Sequence, residues 1–437
     1  ATWTSIAADL PERGSVYAIA EDHVDPNLLF VGTEFGCYFT RDGGEHWVEL
    51  SAGLPTIAVR DIAIQRREND LVLASFGRGF YVMDDYSPLR NATEETLAED
   101  AHIFPIKDAL MYLPATPLGN SGKSFQGAAY YTAKNPPVAS VFTYYLKEGI
   151  KTKKQLRKEK EKEMEKEGKA IVYPSFAEMR AEDEEEKPYL LFTIADADGN
   201  VVNRLRTSAS KGIKRINWNF RYPSTNPVRT SNNSNTYGRM ALPGTYTVSL
   251  AKVVDGEMTE LTGPETFQVV PLNNATLPAE DKEALAQFQA DVAELQRSIQ
   301  AANRVRSDLE NKVSHIKTAI QQTPTVPISM MAEAKAVERQ LAAMQRTLTG
   351  DRSLSRREFE TAPSISNRIG LIMYGMYSTT SAPTQTQKDG YKIAAAQFEP
   401  VMKELKEVVK QIEAMESKLE ELGAPYTPGR MPIWQRD

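Results

Sequence analysis

The stretch FVGTEFGCYFTRDGGEHWVELSAGLP, residues 30–55, carries the strongest structural signal in the chain. Two short apolar runs flank residues 40–47, where a threonine, an aspartate, glycines and a tryptophan follow one another closely. Glycine adopts the positive φ angles of tight turns, and an aspartate can accept hydrogen bonds from the amides of its own turn. The stretch therefore predicts two strands joined by a turn at Asp42, with Trp47 folded back over the hairpin.

The chain repeats this pattern. Residues 19–42 align without a gap to residues 62–85, with a period of 43 residues. In this alignment Phe30 meets Leu73. A period of this length, filled with short apolar strands and turn residues, is typical of one four-stranded propeller blade. The sequence therefore predicts a partial all-β propeller over residues 1–92.

The start of the chain falls inside this repeat. The segment TWTSIAADLP, residues 2–11, corresponds to HWVELSAGLP, residues 46–55, which follows the turn at Asp42. We therefore expect the sequence to enter the propeller in mid-blade. A closed propeller needs ~4–8 blades, so we expect the remaining blades to precede residue 1 in a longer precursor.

The turn resembles the Asp-box of bacterial neuraminidase (BNR) repeats, which occur in sialidases, xyloglucan-type glycosidases and sortilin-type propellers. Thr40, Asp42, Gly44 and Trp47 meet every defined position of that box, whereas the second copy at Asp85 is degenerate, as a last blade can be. The resemblance implies Asp-box blades and a structural folding turn on the propeller rim. A role of Asp42 as a catalytic acid is the less favoured alternative.

Residues suited to catalysis or metal binding are scattered. The histidines show no metal-ligand spacing, and no nucleophile elbow occurs. Arg60, Asp61 and Arg78 lie in the repeat, and one of them could face a propeller cleft. Residues 122–124, Gly-Lys-Ser, resemble the end of a phosphate-binding loop, but Pro117 stands where that loop needs glycine. We therefore predict no catalytic residue, no metal and no cofactor within this chain.

A second β-region follows a linker at residues 93–135. Short β-branched runs predict a β-sandwich over residues 136–272, with hairpin turns at Asp198-Gly199 and Asp255-Gly256. The run LPGTYTVSL resembles the late strand of Ig-like or fibronectin-like sandwiches, which implies a fold and no function. A charged insertion at residues 148–187 interrupts the sandwich and has almost no apolar stripe. It predicts a solvated helix, and a docking surface for a charged partner is the alternative.

From about residue 278 the apolar spacing becomes helical. Three long stripes and one short apolar helix predict a C-terminal antiparallel helical bundle over residues 278–423. The first stripe slips near Val305, which argues against one long coiled coil. Clustered methionines predict core packing, with a soft binding patch as the alternative; they are Met330, Met331, Met373 and Met376. Residues 424–437 form an extended tail that we expect to lie against another domain.

Composition limits the function classes. The net charge of −6 and the pI near 5.6 give no general field for attracting nucleic acid. No apolar run approaches the ~18 residues that a membrane span requires. Cys37 is the only cysteine, so an intramolecular disulfide is impossible.

The predicted order of domains resembles the C-terminal half of large secreted bacterial sortilin-like or BNR-repeat proteins. The resemblance implies a non-catalytic binding or scaffold protein, located extracellularly, in the periplasm or at the bacterial cell surface, whose propeller recognises a protein or glycan. It also implies a partner polypeptide with the remaining blades, expected to be the N-terminal part of the same precursor, and is compatible with a larger cell-surface complex. The alternative is a sialidase- or xyloglucanase-like glycan hydrolase whose active site lies in the preceding blades.

Overall fold

The computed structural model describes residues 2–114, 132–228, 230, 237–275 and 277–434. The Gly-Lys-Ser motif at residues 122–124 lies outside the described residues. The chain forms two compact units. The first consists of Ala1–Met111, Thr116–Asn219 and Pro243–Val270, and the second of Tyr112–Ala115, Phe220–Leu242 and Pro271–Asp437.

Two antiparallel meanders open the first unit. Sheet 1 has the order β1-β2-β3-β4 and comprises β1 (Val16–Glu21), β2 (Leu29–Thr33), β3 (Cys37–Thr40) and β4 (Val48–Glu49). Sheet 2 has the order β5-β6-β7 and comprises β5 (Val59–Gln65), β6 (Asp70–Ser75) and β7 (Phe80–Met83). Each strand follows its neighbour along the chain, because short turns can join antiparallel strands directly.

The two sheets stack on each other through one buried core. Its residues from sheet 1 and the turn before β2 are Leu28, Phe30 and Cys37, and those from sheet 2 include Ile62, Leu71 and Leu73. The approach is close, because a Cβ added to Gly32 would lie only 2.7 Å from the carbonyl oxygen of Val59. Glycine is therefore required where β5 crosses β2.

The ungapped repeat alignment is wrong by one residue in β2. Phe30 pairs with Ala20 and Phe39 in sheet 1. In sheet 2, Ala63 and Val82 are the repeat equivalents of Ala20 and Phe39. The residue that pairs with both of them is Val72, and not the predicted Leu73. Between equivalent paired positions, Glu21 and Leu29 are eight residues apart but Ile64 and Leu71 only seven, whereas Gly32 and Cys37 are five apart and Ala74 and Phe80 six. The two length changes cancel along the sequence, so the alignment stays ungapped and does not reveal that β6 is offset by one residue from β2.

A short strap returns from sheet 2 to sheet 1. The strap, residues 86–92, contains a 3-10 helix at Ser87–Asn91. Tyr86 and Leu89 lie in the core between the two sheets. Helix α1 (Glu94–Ala98) and the strands β8 (Ala101–Ile103) and β9 (Ala109–Met111) follow.

The rest of the first unit is built from two further sheets. Its strands are β10 (Ser140–Leu146), β11 (Tyr189–Asp196), β12 (Val201–Ser208), β13 (Gly212–Trp218), β14 (Gly244–Val254) and β15 (Glu257–Pro271). They form the orders β13-β10-β8 and β12-β11-β14-β15-β9. Aromatic rings meet between the sheets, with 5.2 Å between the centroids of Phe142 and Phe267 and 5.0 Å between those of Trp218 and Tyr246. The Ig-like or fibronectin-like identity of this sandwich stays a prediction.

The charged insertion forms two helices instead of the single solvated helix predicted. Helix α2 (Lys153–Lys166) and helix α3 (Phe176–Glu184) are both fully described, and neither contains a buried residue. Two residues beyond the end of α2, Gly168 has a φ of +70°, which is unfavourable for other residues. Pro174 immediately precedes the N-cap Ser175 of α3. A proline here also keeps α2 from continuing into α3, since it is not tolerated in a helix interior.

The second unit is helical. Its helices are α4 (Lys282–Gln322), α5 (Met330–Thr349), α6 (Arg352–Ser355), α7 (Ile365–Tyr377) and α8 (Gln385–Glu421). Helix α4 runs unbroken past Val305, which lies exposed at the slip of its apolar stripe. Met330, Met373 and Met376 are buried in the common core and Met331 packs against it. The tail packs on α8, where the Thr427 hydroxyl donates to the buried Glu416 at 2.6 Å.

Candidate functional site

Asp42 lies in the turn between β3 and β4, and donors of the same turn hold its carboxylate. Oδ1 accepts hydrogen bonds from the Thr40 hydroxyl at 2.6 Å and from the amides of Glu45 and His46 at 2.8 and 3.0 Å. Oδ2 lies 2.9 Å from Nδ1 of His46. The Thr40 hydroxyl also accepts from the Gly44 amide at 3.1 Å. Both carboxylate oxygens are therefore engaged within one turn.

These contacts decide the protonation of Asp42. Desolvation raises the pKa of its carboxyl, but the hydrogen bonds from the Thr40 hydroxyl and from His46 outweigh it and hold the pKa well below the usual range. The hydrogen bond between the Asp42 carboxylate and the His46 side chain raises the pKa of His46. An ionised carboxylate has no proton to give, so Asp42 is poorly suited to act as a general acid at neutral pH. Its structural role stays a prediction.

One group of possible metal ligands occurs at this turn among the described residues. Asp42, Glu45 and His46 each offer one ligand atom, and these atoms lie within 4.8 Å of one another. Glu45 and His46 are exposed, and the Asp42 oxygens already accept hydrogen bonds from the turn. Clusters of this kind are common on protein surfaces, so the geometry assigns no ion to it.

Gly44 and Trp47 connect the turn to the N-terminal segment. The Trp47 indole donates to the Ile6 carbonyl at 2.8 Å, and its amide donates to the Asp9 carboxylate at 2.8 Å. Gly44 has a φ of +105°, and a Cβ on it would lie 2.7 Å from the Cβ of Ile6. Gly44 and Trp47 therefore hold residues 6–9 against sheet 1.

Asp85, the degenerate second copy, makes a smaller turn. Its backbone has a φ of +44°, and its amide donates to the Asp70 carboxylate at 3.0 Å. Its own carboxylate accepts from the Ser87 hydroxyl at 2.6 Å. No tryptophan covers this turn in the described structure, and the strap follows directly.

The three residues predicted for a cleft are exposed at the opposite end of the stacked sheets. Arg60 and Asp61 lie at the start of β5, and Arg78 lies in the β6–β7 turn. The Arg60 guanidinium carbon is 4.0 Å from the ring centroid of Tyr17 and 5.2 Å from that of Phe76. Asp61 accepts a local hydrogen bond from the amide of Ile62 at 2.9 Å. β1 and β5 begin at this end, whereas β3 runs away from it and ends at the Asp42 turn.

The aromatic partners of Arg60 were missed from the sequence. Tyr17 occupies the same repeat position as Arg60, because the two residues are 43 positions apart at the start of equivalent strands. That equivalence places them side by side in neighbouring sheets and was the available signal. The structure brings Arg60, Tyr17 and Phe76 into one cluster, here called the arginine–aromatic cluster.

A buried ionic cluster fixes the strap and was also missed. Arg90 donates from Nε and Nη2 to the two oxygens of Asp22 at 2.8 and 2.7 Å, and Nη2 also donates to Asn69 at 2.8 Å. The Tyr86 hydroxyl donates to Asp22 at 2.5 Å. Burial raises the pKa of Asp22, but the hydrogen bonds from Arg90 and Tyr86 hold it well below its usual range.

A second arginine reinforces the strap. Arg41 follows β3 and donates from Nη2 to the Arg90 carbonyl at 2.8 Å and from Nη1 to the Ala92 carbonyl. Asp22 and Arg41 belong to sheet 1 and its turns, whereas the strap leaves sheet 2. This end of the stack is therefore closed by the hydrogen bonds of Asp22, Arg90 and Arg41, while the arginine–aromatic cluster is open to solvent.

Comparisons with known proteins give no family. No protein-family model matches this chain, and no curated protein sequence matches it either. No described helix is both long and apolar enough to cross a membrane.

Among solved structures, similarity was found to PorZ, an essential bacterial surface component of the type-IX secretion system of Porphyromonas gingivalis, at 13% identity over 59% of this chain and 30% of PorZ, with a TM-score of 0.16. The extracellular domain of the putative hybrid two-component system BT4673 from B. thetaiotaomicron shows 11% identity over 60% of this chain and 26% of that domain, with a TM-score of 0.15. YCF48 from Cyanidioschyzon merolae shows 11% identity over 58% of this chain and 73% of YCF48, with a TM-score of 0.15. The match thus spans less than a third of PorZ and of the BT4673 domain, and similarities this small carry no argument about this chain.

Proposed function

We propose that this chain belongs to an exported, non-catalytic binding protein, in which sheets 1 and 2 are Asp-box blades of a β-propeller. Its location outside the cytoplasm, extracellular, periplasmic or at the bacterial cell surface, rests on the resemblance to secreted sortilin-like and BNR-repeat proteins. The propeller would recognise a protein or glycan partner at the arginine–aromatic cluster. Each part of this proposal has its own support and its own test.

The propeller proposal is supported by head-to-tail stacking of the two sheets. Each sheet has two faces, and the repeat makes the faces of sheet 1 and sheet 2 equivalent in pairs. The face of sheet 1 that carries Phe30 packs on the non-equivalent face of sheet 2, which carries Leu73. The register makes Val72 the counterpart of Phe30, and Val72 lies on the outer face of sheet 2 with Val82 and Phe80. Val82 is 56% exposed and Phe80 75% exposed. A heterologous contact of this kind always leaves one such face open until a ring closes.

The open face of sheet 2 supports a proposal about the partner. Within the chain, the corresponding face of sheet 1 is covered by another sheet of the same kind. We infer that further blades cover Val72, Phe80 and Val82, and that they come from the N-terminal part of the same precursor or from a separate polypeptide. The buried contact would be large and apolar, like a domain core divided in two.

A charge on the open face tests this partner. Phe80→Asp in the natural polypeptide should weaken association with the remaining blades by about tenfold or more, because a central apolar anchor is replaced by a desolvated charge. Val201→Asp is the matched control, since Val201 is also exposed and lies on the edge strand β12. Equal association of both variants in sedimentation would remove the basis for the propeller proposal.

The arginine–aromatic cluster is the single observation that carries the binding proposal. An exposed guanidinium held between Tyr17 and Phe76 offers fixed donors beside two apolar ring faces. Aromatic and arginine side chains are the types enriched at recognition hot spots. At the other end of the stack, the carboxylate of Asp42 is already occupied by hydrogen bonds of its own turn.

Binding is tested with Arg60→Ala and the control Arg67→Ala. Arg67 is an exposed arginine just beyond the other end of β5, paired only with its neighbour Glu68 at 2.9 Å. On an array of neutral and acidic glycans and in titrations with isolated surface proteins, Arg60→Ala should lose about tenfold or more in affinity, and Arg67→Ala should not. Free sugar released from a bound glycan would support the hydrolase alternative, and equal affinities of both variants would refute the cluster as the binding site.

A further inference from the structure

The charged insertion carries an apolar tip that its sequence pattern does not require. Ile171, Val172, Tyr173 and Phe176, here called the apolar tip, are 52%, 77%, 81% and 87% exposed. They lie in the connection between α2 and α3 and at the first residue of α3. A cluster of exposed apolar residues within six positions is a liability for a solvated segment unless it has a partner.

The insertion presents this tip on a fixed stem. Arg157 of α2 donates from Nε and Nη2 to the two oxygens of Glu182 of α3 at 2.5 and 2.9 Å. The Lys153 amide donates to the Glu185 carboxylate at 2.7 Å, and the Lys153 ammonium lies 3.6 Å from the Asp255 carboxylate in the β14–β15 turn. At about 1.5 Å per residue, the nine-residue helix α3 places Phe176 roughly 13 Å from this base.

The chain entering α3 is also fixed. The Ser175 hydroxyl accepts from the Glu178 amide at 3.3 Å, and the Glu178 carboxylate accepts from the Ser175 amide at 2.8 Å, which forms a capping box. Pro174 restricts the backbone between Tyr173 and this cap. The two aromatic side chains on either side of the cap are therefore presented in a pre-organised loop, which reduces the entropy lost on binding.

The charges around the tip select the class of partner. Lys166 and Lys169 alternate with Glu165 and Glu167, and the Lys169 ammonium lies 2.6 Å from Glu167. This balanced rim gives no net attraction to an anionic lipid surface or to a strongly charged protein. A rim of paired charges around aromatic anchors is instead the composition of a protein–protein hot spot.

We propose that the apolar tip docks into an apolar pocket of another folded protein, one whose rim carries charges of both signs. Tyr173 and Phe176 are the anchors, and the stem holds them away from the sandwich. The proposal goes beyond the propeller function and does not rest on it, because no residue of sheets 1 or 2 takes part.

Site-specific photocrosslinking tests the proposal. The whole polypeptide is produced in its own cells with p-benzoylphenylalanine in place of Tyr173 or, as matched control, in place of Leu156, an exposed apolar residue of α2. The expected result is one protein crosslinked from position 173 and none from position 156. That protein, purified, should bind the chain, and Tyr173→Ser and Phe176→Ser should each weaken binding by about tenfold or more, whereas Leu156→Ser should not.

Salt dependence and vesicle binding distinguish the proposed protein pocket from a strongly charged partner and from a membrane surface. Because the rim is balanced, affinity should change less than about twofold between roughly 0.05 and 0.5 M salt. The absence of a crosslinked protein, an equal affinity of the serine variants, or a steep salt dependence would overturn the proposal. Flotation of the chain with phosphatidylcholine or phosphatidylglycerol vesicles, abolished by Tyr173→Ser, would assign the tip to a membrane surface instead.

Discussion

Removal of the buried Asp22 carboxylate tests how the two stacked sheets are locked together. In Asp22→Ala, the Arg90 guanidinium loses its bidentate partner and the Tyr86 hydroxyl loses its acceptor. Breaking a buried ion pair from one side costs about 3–5 kcal/mol. Because the Arg90 side chain is 17% exposed, part of its charge can be rehydrated, so we expect the lower end, about 3 kcal/mol.

The loss should be local to the two sheets. Hydrogen exchange of the β2 and β6 amides, measured in the natural polypeptide, should show the reduced free energy of opening, while the amides of α4 and α8 keep theirs. Glu21→Ala is the control, because Glu21 is the exposed neighbour at the end of β1. A change below about 1 kcal/mol in Asp22→Ala, the size of an ordinary surface effect, would refute the view that this ion pair holds the strap.

The same residue predicts a pH dependence. Because the pKa of Asp22 is lowered by folding, its stabilisation is complete above the unfolded pKa of about 3.9 and is lost as the pH falls below it. The opening free energy of the wild type should therefore fall on acidification more steeply than that of Asp22→Asn. Parallel curves for the two proteins between about pH 5 and pH 2 would show that folding does not lower the pKa of Asp22.

Asp42→Ala should lower the free energy of unfolding by about 1–2 kcal/mol through lost turn hydrogen bonds and leave binding intact, whereas a selective loss of binding at unchanged stability would contradict the structural role. Replacement of residues 148–186 by a short Gly/Ser loop should leave the melting transition in place, because α2 and α3 bury no residue; insoluble protein would contradict this. Produced alone, residues 1–90 should be insoluble or molten because of the open sheet faces. Residues 93–437, which keep β8 and β9 in the two sandwich sheets, should fold, as near-UV circular dichroism can show.

Local patterns in the sequence were sufficient for the elements that local physics controls. The helical stripes anticipated the long helices, because one face of each is buried in a single core. The Asp-Gly pairs at residues 198–199 and 255–256 lie between β11 and β12 and between β14 and β15, as hairpin chemistry requires. The slip at Val305 did not break α4, because one exposed apolar residue costs a long helix little.

The strand register of the repeat, the buried ion pair and the apolar tip could not be predicted from sequence patterns, each for a physical reason. The alignment of Phe30 with Leu73 failed because two compensating length changes leave no gap, yet a shift of one residue moves a strand side chain to the other face. The partnership of Asp22 with Arg90 joins positions 68 residues apart, and no periodicity marks such a pair. The apolar tip does not follow from the charge pattern of the insertion. Its four apolar residues have no helical or strand spacing, because they lie in and next to the loop between α2 and α3.

The two ends of the stacked sheets separate stability from recognition. At the end where β1 and β3 finish, the carboxylates of Asp22 and Asp42 are saturated by protein donors, so substitutions there should act on folding. At the end where β1 and β5 begin, Arg60 is exposed between two rings and has no described carboxylate partner within ion-pair distance, so its substitution should act on binding. If Asp42→Ala and Arg60→Ala had the same effect on both properties, the division would be wrong, because the two side chains share no contact that could link them.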